Sequence, residues 1–315
     1  MASSAYRSTT ETTQRAPAGL TVTDLALLAM ALIWGLNFIV VKFGTGVFPP
    51  LAFSSVRMSI AVVILWSIVL LRRLPLPNRH DTWVMLALGT LGNGLYQVLW
   101  IQGMARTRAS DAALLVAASP AFIELIGWAR GHARAGLRAM GGIALSLVGI
   151  GLVVSGGRHG GVGQSSFLGN GLILGSVLCW AFYSLGLKPL TERVDGITLS
   201  AITMTGGVVP MLAVSVPALM ATRWSGVSNA GWGAVAYSSV MALVVAYLFW
   251  YKGVRVLGPT RASMYSNLQP LVAMMAGWAL LGETPRATQV AGAVCIIGGL
   301  LLTRMPGHED VVAHE

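Results

Sequence analysis

Residues 100–120 read WIQGMARTRASDAALLVAASP, and residues 250–270 read WYKGVRVLGPTRASMYSNLQP. At an offset of 150, Trp100 meets Trp250, Gly103 meets Gly253, Ala112 meets Ala262 and Pro120 meets Pro270. The same offset carries on to Gly142 with Gly292 and Gly149 with Gly299. Earlier in each half it is 146, where Trp34 and Lys42 match Trp180 and Lys188, and a four-residue difference in loop length accounts for the change. Gly and Ala coincide often in a chain this rich in both. Two Trp pairs, a Lys pair and a Pro pair in register mark an internal duplication.

The chain around the repeat is built for a bilayer. Of its 315 residues 55% are hydrophobic and 10% charged, against the roughly 25% charged of a soluble domain. A soluble fold must present polar surface to water, whereas a membrane accepts apolar surface all round. Apolar runs near the ~20 residues that cross hydrocarbon fall at 24–41, 51–71, 83–102, 111–128, 137–154, 168–187, 199–218, 232–251, 262–281 and 289–303. They are continuous, without the alternation of outer-membrane strands, so helices are expected and no barrel. The expected fold is an all-α integral membrane protein of ten transmembrane helices. Five helices per repeat is an odd number, so the second copy should lie inverted relative to the first, as in secondary transporters. The organisation is a polar tail over 1–23, a first five-helix repeat over 24–154, a Gly-rich external loop over 155–167, a second repeat over 168–303 and a tail over 304–315. No length is left for a soluble domain.

Basic residues set the expected orientation. With the N-terminus inside, 14 of the 21 basic residues fall on the cytoplasmic side, 6 outside, and Arg57 within a helix, which favours both termini in the cytoplasm. The net charge of +10 is scattered between apolar runs and gathers on no face, so nucleic acid is not an expected partner. Residues 1–22 are polar, without the apolar core of a removable signal peptide. The excess of Arg over Lys fits a GC-rich bacterial genome, and the inner membrane is the expected location. Cys179 and Cys295 sit in apolar runs and imply neither disulfide nor metal. No cofactor is expected; the partners are a small-molecule substrate and membrane lipid, and a monomer suffices.

Aromatic and amide side chains recur within the runs: Trp34, Asn37 and Phe38; Asn93, Tyr96, Gln97 and Trp100; Trp180 and Tyr183; Tyr247, Trp250 and Tyr251; Tyr265, Ser266, Asn267 and Gln269. Amides in hydrocarbon need partners, so these should face the bundle interior or a wet cavity. Trp34, Asn37, Tyr96, Gln97, Trp180, Tyr183, Tyr265 and Gln269 are the expected substrate-binding set. Trp100, Trp250 and Tyr251, near the ends of their runs, read as interfacial belt or packing. Arg57 is a charge inside a span and needs a partner, which Glu283 would supply at the same level, or it meets a substrate carboxylate directly. Glu124 reads as a snorkelling acid or a proton-coupling group. Lys42 and Lys188 read as helix-end anchors that complement C-terminal dipoles. Pro120 and Pro270 are expected as mid-helix breaks beside the cavity, with gating or structural roles alongside Arg57 and Glu283.

With its two five-helix repeats, Trp34, Arg57, Pro120 and Pro270, and Leu281-Gly282-Glu283 followed by Gln289 and Gly292, the chain resembles the drug/metabolite transporter superfamily. More narrowly it is similar to EamA-type exporters, and in general character to their YddG-like amino acid exporter branch. One departure is the basic stretch Arg130-Gly131-His132-Ala133-Arg134, where the first repeat should show an acidic ending. The resemblance implies a secondary exporter of small metabolites, chiefly amino acids including aromatic or hydrophobic ones. A multidrug cation exporter usually has an acid on the first helix, and here only Asp24 stands at its mouth. An organophosphate antiporter would gather several basic residues in the cavity. An enzyme would need a catalytic constellation, yet all five His lie in loops or the C-terminal tail. A retinal receptor would need a mid-helix Lys.

Overall fold

The computed structural model describes residues 21–129, 137–156 and 166–304, and among them every regular element is helical. Most of both tails, most of the Gly-rich segment and the basic stretch Arg130–Arg134 lie outside the described residues, as does the side chain of Glu124. Helix α1 (Val22–Val47) starts at a capping box: Thr21 Oγ1 accepts from the Asp24 N–H while the Asp24 carboxylate accepts from the Thr21 N–H, which satisfies two orphan donors at once. Helix α2 (Pro50–Leu71) begins with Pro50, where a missing N–H costs nothing. Helix α3 (Arg79–Arg106) is capped by Asn78. Then come α4 (Ala109–Ala117), α5 (Ser119–Ala129), α6 (Leu137–Gly156), α7 (Phe167–Thr191) and α8 (Gly196–Ala221). Helix α9 joins Asn229–Ala236, Tyr237–Val245 and Ala246–Ser266, and α10 (Gln269–Leu281) and α11 (Ala287–Arg304) follow.

Among the described residues, six stretches are long and apolar enough to cross a membrane: α1, α2, α3, α7, α8 and α9 over Asn229–Leu257. Four shorter apolar helical stretches, Ala109–Ile123, Met140–Ser155, Gln269–Leu281 and Ala287–Gly299, fall on the remaining runs.

Two expectations need correction. Pro120 and Pro270 do not kink continuous helices; each stands in the first turn of a new one. The chain turns at Ala118 before α5 and at Asn267–Leu268 before α10. A proline in a first turn removes an N–H that has no helical partner anyway. In addition, Ser119 Oγ donates to the Val116 carbonyl at 2.5 Å, supplying a partner that Pro120 cannot. The ninth run, 262–281, is not one helix: α9 continues from the eighth run to Ser266, and α10 begins at Gln269.

Helices α3 and α9 both widen into π-helix, at Thr90–Leu95 and at Tyr237–Val245, and residues 240–245 of the second are the repeat mates of the first. Packing follows the repeat as well. A Cβ at Gly103 would stand 2.8 Å from Ile173, and one at Gly253 would stand 2.5 Å from Leu27; Leu27 and Ile173 are repeat mates. Between α6 and α11, a Cβ at Gly149 would lie 2.7 Å from the Gly292 carbonyl oxygen, and one at Gly299 would lie 2.4 Å from that of Gly142. The contacts cross over, so the two helices run antiparallel. Small residues allow this backbone approach, which is how helices associate in lipid.

Candidate functional site

A cavity of about 910 Å³, its mouth included, opens among α1, α2, α3, the α4–α5 break, α7, α9 and α10. One wall is aromatic. Trp34 on α1 stands edge-on to Tyr247 at 5.5 Å between centroids and to Trp180 at 6.3 Å, and Trp180 lies 6.1 Å from Trp250. Tyr96 packs on Trp180 at 5.5 Å. Trp34 is oriented by its indole N–H, which donates to the Ala242 carbonyl at 2.9 Å, inside the π-helical turn of α9. Next to it Tyr237 donates to the Ile33 carbonyl, and Ser238 Oγ donates to Asn37 Oδ1 at 2.9 Å. The widened turn of α9 is thus pinned to α1 along three residues, and Asn37 is fixed with its amide at the cavity.

The cavity also has a polar lining. Arg57 donates through Nη2 to Gln97 Oε1 at 2.6 Å, and its guanidinium lies 5.2 Å from the ring centroid of Trp100 and 5.8 Å from that of Phe53. Ser119 and Asn267, at the two helix breaks, and Gln269 at the start of α10 complete it.

Of the expected set, Trp34, Asn37, Tyr96, Gln97, Trp180 and Gln269 line this cavity, together with Arg57 and Pro120. Tyr183, Tyr265, Pro270 and Glu283 are not among its lining residues. Tyr183, three residues beyond Trp180, is turned towards α8 and fully buried; its hydroxyl shares a 2.7 Å hydrogen bond with that of Tyr251 and receives one from Asn93. Tyr247, which does line the cavity, donates to Asn93 at 3.3 Å and so ties this polar layer to the aromatic wall. Tyr265, in the last turn of α9, donates to Asp24 at 2.5 Å. Pro270 is buried in the first turn of α10.

Glu283 does not pair with Arg57. It accepts from the backbone N–H groups of Ala109 at 2.9 Å and Ser110 at 3.1 Å and from Ser110 Oγ at 2.6 Å, with Arg108 Nε 3.8 Å away. A carboxylate there meets the free donors and the positive dipole end of α4. Trp100 and Trp250 line the cavity and are buried, which excludes the belt half of their reading and leaves packing, and Tyr251 is buried as well. Helices α3 and α9 extend well past the apolar runs, which puts these rings inside. Ser119 escaped the sequence reading, although its place beside Pro120 was the available signal. Val177 and Leu243, apolar lining residues, carry no signal at all.

The sequence profile of the EamA-like transporter family matches residues 21–155 and again residues 167–305. The chain belongs to the EamA-like transporter family. The transporter is 31% identical over 269 residues to the uncharacterized inner membrane transporter YedA of Escherichia coli K12, covering 82% of this chain and 83% of that one. It is 28% identical to an uncharacterized transporter of Archaeoglobus fulgidus, over 91% of this chain and 99% of the other. With the uncharacterized transporter YyaM of Bacillus subtilis it shares 25% identity, covering 88% and 92%. A solved crystal structure has the same fold, with a TM-score of 0.62 over 90% of this chain and 96% of its own at 18% identity. The transporter is a multi-pass membrane protein, and the cavity lies where the helices of its two matched halves meet.

Proposed function

We propose that this transporter is a secondary exporter of small metabolites, amino acids with aromatic or hydrophobic side chains foremost, working by alternating access around the central cavity. The observation that carries this reading is the pairing of rings and polar groups in the cavity's lining. Trp34, Trp180, Tyr247 and Trp250 line the same space as Arg57, Gln97, Asn37 and Gln269. Rings take up the apolar part of a solute, while a few placed polar groups hold its other end. Trp34 with Trp180 and Trp100 with Trp250 are repeat mates, so each half contributes an equivalent pair to one site. Crossed contacts between α6 and α11 support inverted halves, the arrangement that lets one site face either side in turn. Both termini are placed in the cytoplasm on the basic-residue bias; single cysteines at Ser4 and Ser165, labelled before and after permeabilisation, test that placement.

The test of function is uptake of a panel of labelled amino acids into liposomes holding the purified protein, with and without a pH gradient. Trp180→Ala is expected to lower transport of large apolar amino acids at least tenfold more than that of alanine. Asn37→Ala is expected to weaken all of them alike, because their common polar end loses a partner. Equal losses for large and small solutes in the Trp180 variant, at normal expression, would make the rings packing residues. A multidrug cation exporter is the second reading. Arg57, a cation, is the charged side chain among the described lining residues, which disfavours it.

A further inference from the structure

Three polar groups at the cavity are left without partners. Arg57 commits Nη2 to Gln97, but its Nε and Nη1 have no hydrogen-bond partner among the described residues, and neither has Trp100 Nε1. Asn267 Oδ1, at the break between α9 and α10, is an equally unpartnered acceptor. Arg57 is 1% exposed and Trp100 4%, and both line the cavity, as Asn267 does. A guanidinium in a nearly dry site is costly unless charge-assisted bonds satisfy it. Gln97, a neutral amide, answers only one of its nitrogens, and the neighbouring rings answer only its π-face. No acidic side chain stands among the described lining residues.

We propose that Arg57 and Trp100 form the seat of a solute carboxylate, so that the transporter accepts acids bearing an apolar ring or chain and rejects the corresponding amines. The inference rests on the reading of this cavity as the transport site and names the charge class it selects. A carboxylate brings acceptor lone pairs to the free guanidinium N–H groups and to the indole N–H, and such charge-assisted bonds are about twice as strong as neutral ones. An ammonium alone would enter beside a buried cation with nothing of opposite charge to meet it. A solute that carries both an ammonium and a carboxylate still brings its acid end to Arg57, and Asn267 Oδ1 is an unpartnered acceptor in the same cavity, so α-amino acids belong to the accepted class. Arg57 and Trp100 thereby set specificity by charge, and the Trp34–Trp180 wall sets it by shape.

The experiment measures binding to purified full-length protein in detergent by titration calorimetry with four probes: 3-phenylpropanoate, 3-phenylpropylamine, butyrate and butylamine. Acid against amine reads the carboxylate seat, and phenyl against butyl reads the aromatic wall. The wild type is expected to prefer 3-phenylpropanoate to 3-phenylpropylamine at least tenfold. Arg57→Gln should abolish that preference, Arg57→Lys should restore part of it, and Trp100→Phe, which keeps a ring but loses the N–H, should reduce it about threefold. Equal binding of acid and amine in the wild type overturns the seat, as does an unchanged preference in both Arg57→Gln and Trp100→Phe. If Arg57→Gln does not give monodisperse protein, Trp100→Phe decides alone. A missing phenyl-over-butyl advantage, with the acid preference intact, overturns the aromatic-wall reading and leaves the seat standing. Failure of all four probes to bind overturns both.

Discussion

The two ends of the helix bundle differ in the polar contacts of their described residues. At the end that holds Glu283, side chains from most of the surrounding helices interlock. Lys42 donates to the carbonyls of Met104 at 3.0 Å and Thr107 at 2.6 Å, Arg108 donates to the Thr284 carbonyl at 2.8 Å, and Gln289 donates to Ser110 at 3.0 Å and Asp111 at 2.5 Å. Asp111 is buried with Arg286 at 4.0 Å. At the opposite end the described polar ties are fewer: Tyr265 to Asp24, and the exposed Arg193 to Asp81 at 3.4 Å. Lys188, the repeat mate of Lys42, is exposed. Apart from Lys42, the residues of this network have unlike repeat mates, Gly258 for Arg108, Arg261 for Asp111 and Ala139 for Gln289, so among the described residues the latch of polar contacts belongs to the Glu283 end.

The largest expected effect tests the latch itself. Glu283→Ala strips the acceptor from the start of α4 and leaves Arg108 without its carboxylate, and should lower stability by about 3 kcal/mol or more, read from unfolding in detergent. Asp24→Asn at the other end should lose less, since an amide oxygen at this third position of the capping box can still accept from the Thr21 N–H. Equal losses would erase the contrast. The next comparison is between repeat mates. Lys42→Met leaves three carbonyls at the end of α3 without a donor and should cost about 1–3 kcal/mol, whereas Lys188→Met should stay within about 0.5 kcal/mol. A similar cost for both would show that Lys188 has a bonding role equal to that of Lys42. The smallest effect is expected for Arg193→Gln, below about 0.5 kcal/mol and with unchanged uptake, because its side chain is 58% exposed and its ion pair is screened.

Much of the site was legible because hydrocarbon makes polar side chains conspicuous. Asn37, Gln97 and Gln269 stand out in apolar runs for that reason, and Trp34 and Trp180 stand out as repeat mates. What misled was depth. Apolar runs end where charge begins, but a helix does not: α3 continues to Arg106 beyond the run ending at 102, so Trp100 moved from the rim to the cavity wall. The same error placed Arg57 level with Glu283. Tyr183 was misassigned because composition cannot say which way a residue one turn from Trp180 points. The prolines were recognised as breakers, but whether a helix bends or restarts depends on a neighbour such as Ser119 supplying the missing bond. The π-helical turns of α3 and α9 left no mark that periodicity could detect, since one extra residue per turn shifts the pattern only locally.

The glycine seam between α6 and α11 has one more consequence. Gly149 meets Gly292 while Gly142 meets Gly299, and each of these contacts is the other's image under exchange of the halves. In a pair of identical subunits such a joint can change only in duplicate, because every substitution appears twice. Written as a single chain, it can be altered on one side alone. That freedom is what permits an acidic latch at Glu283 to coexist with the basic sequence Arg130–Arg134 at the corresponding place in the other half.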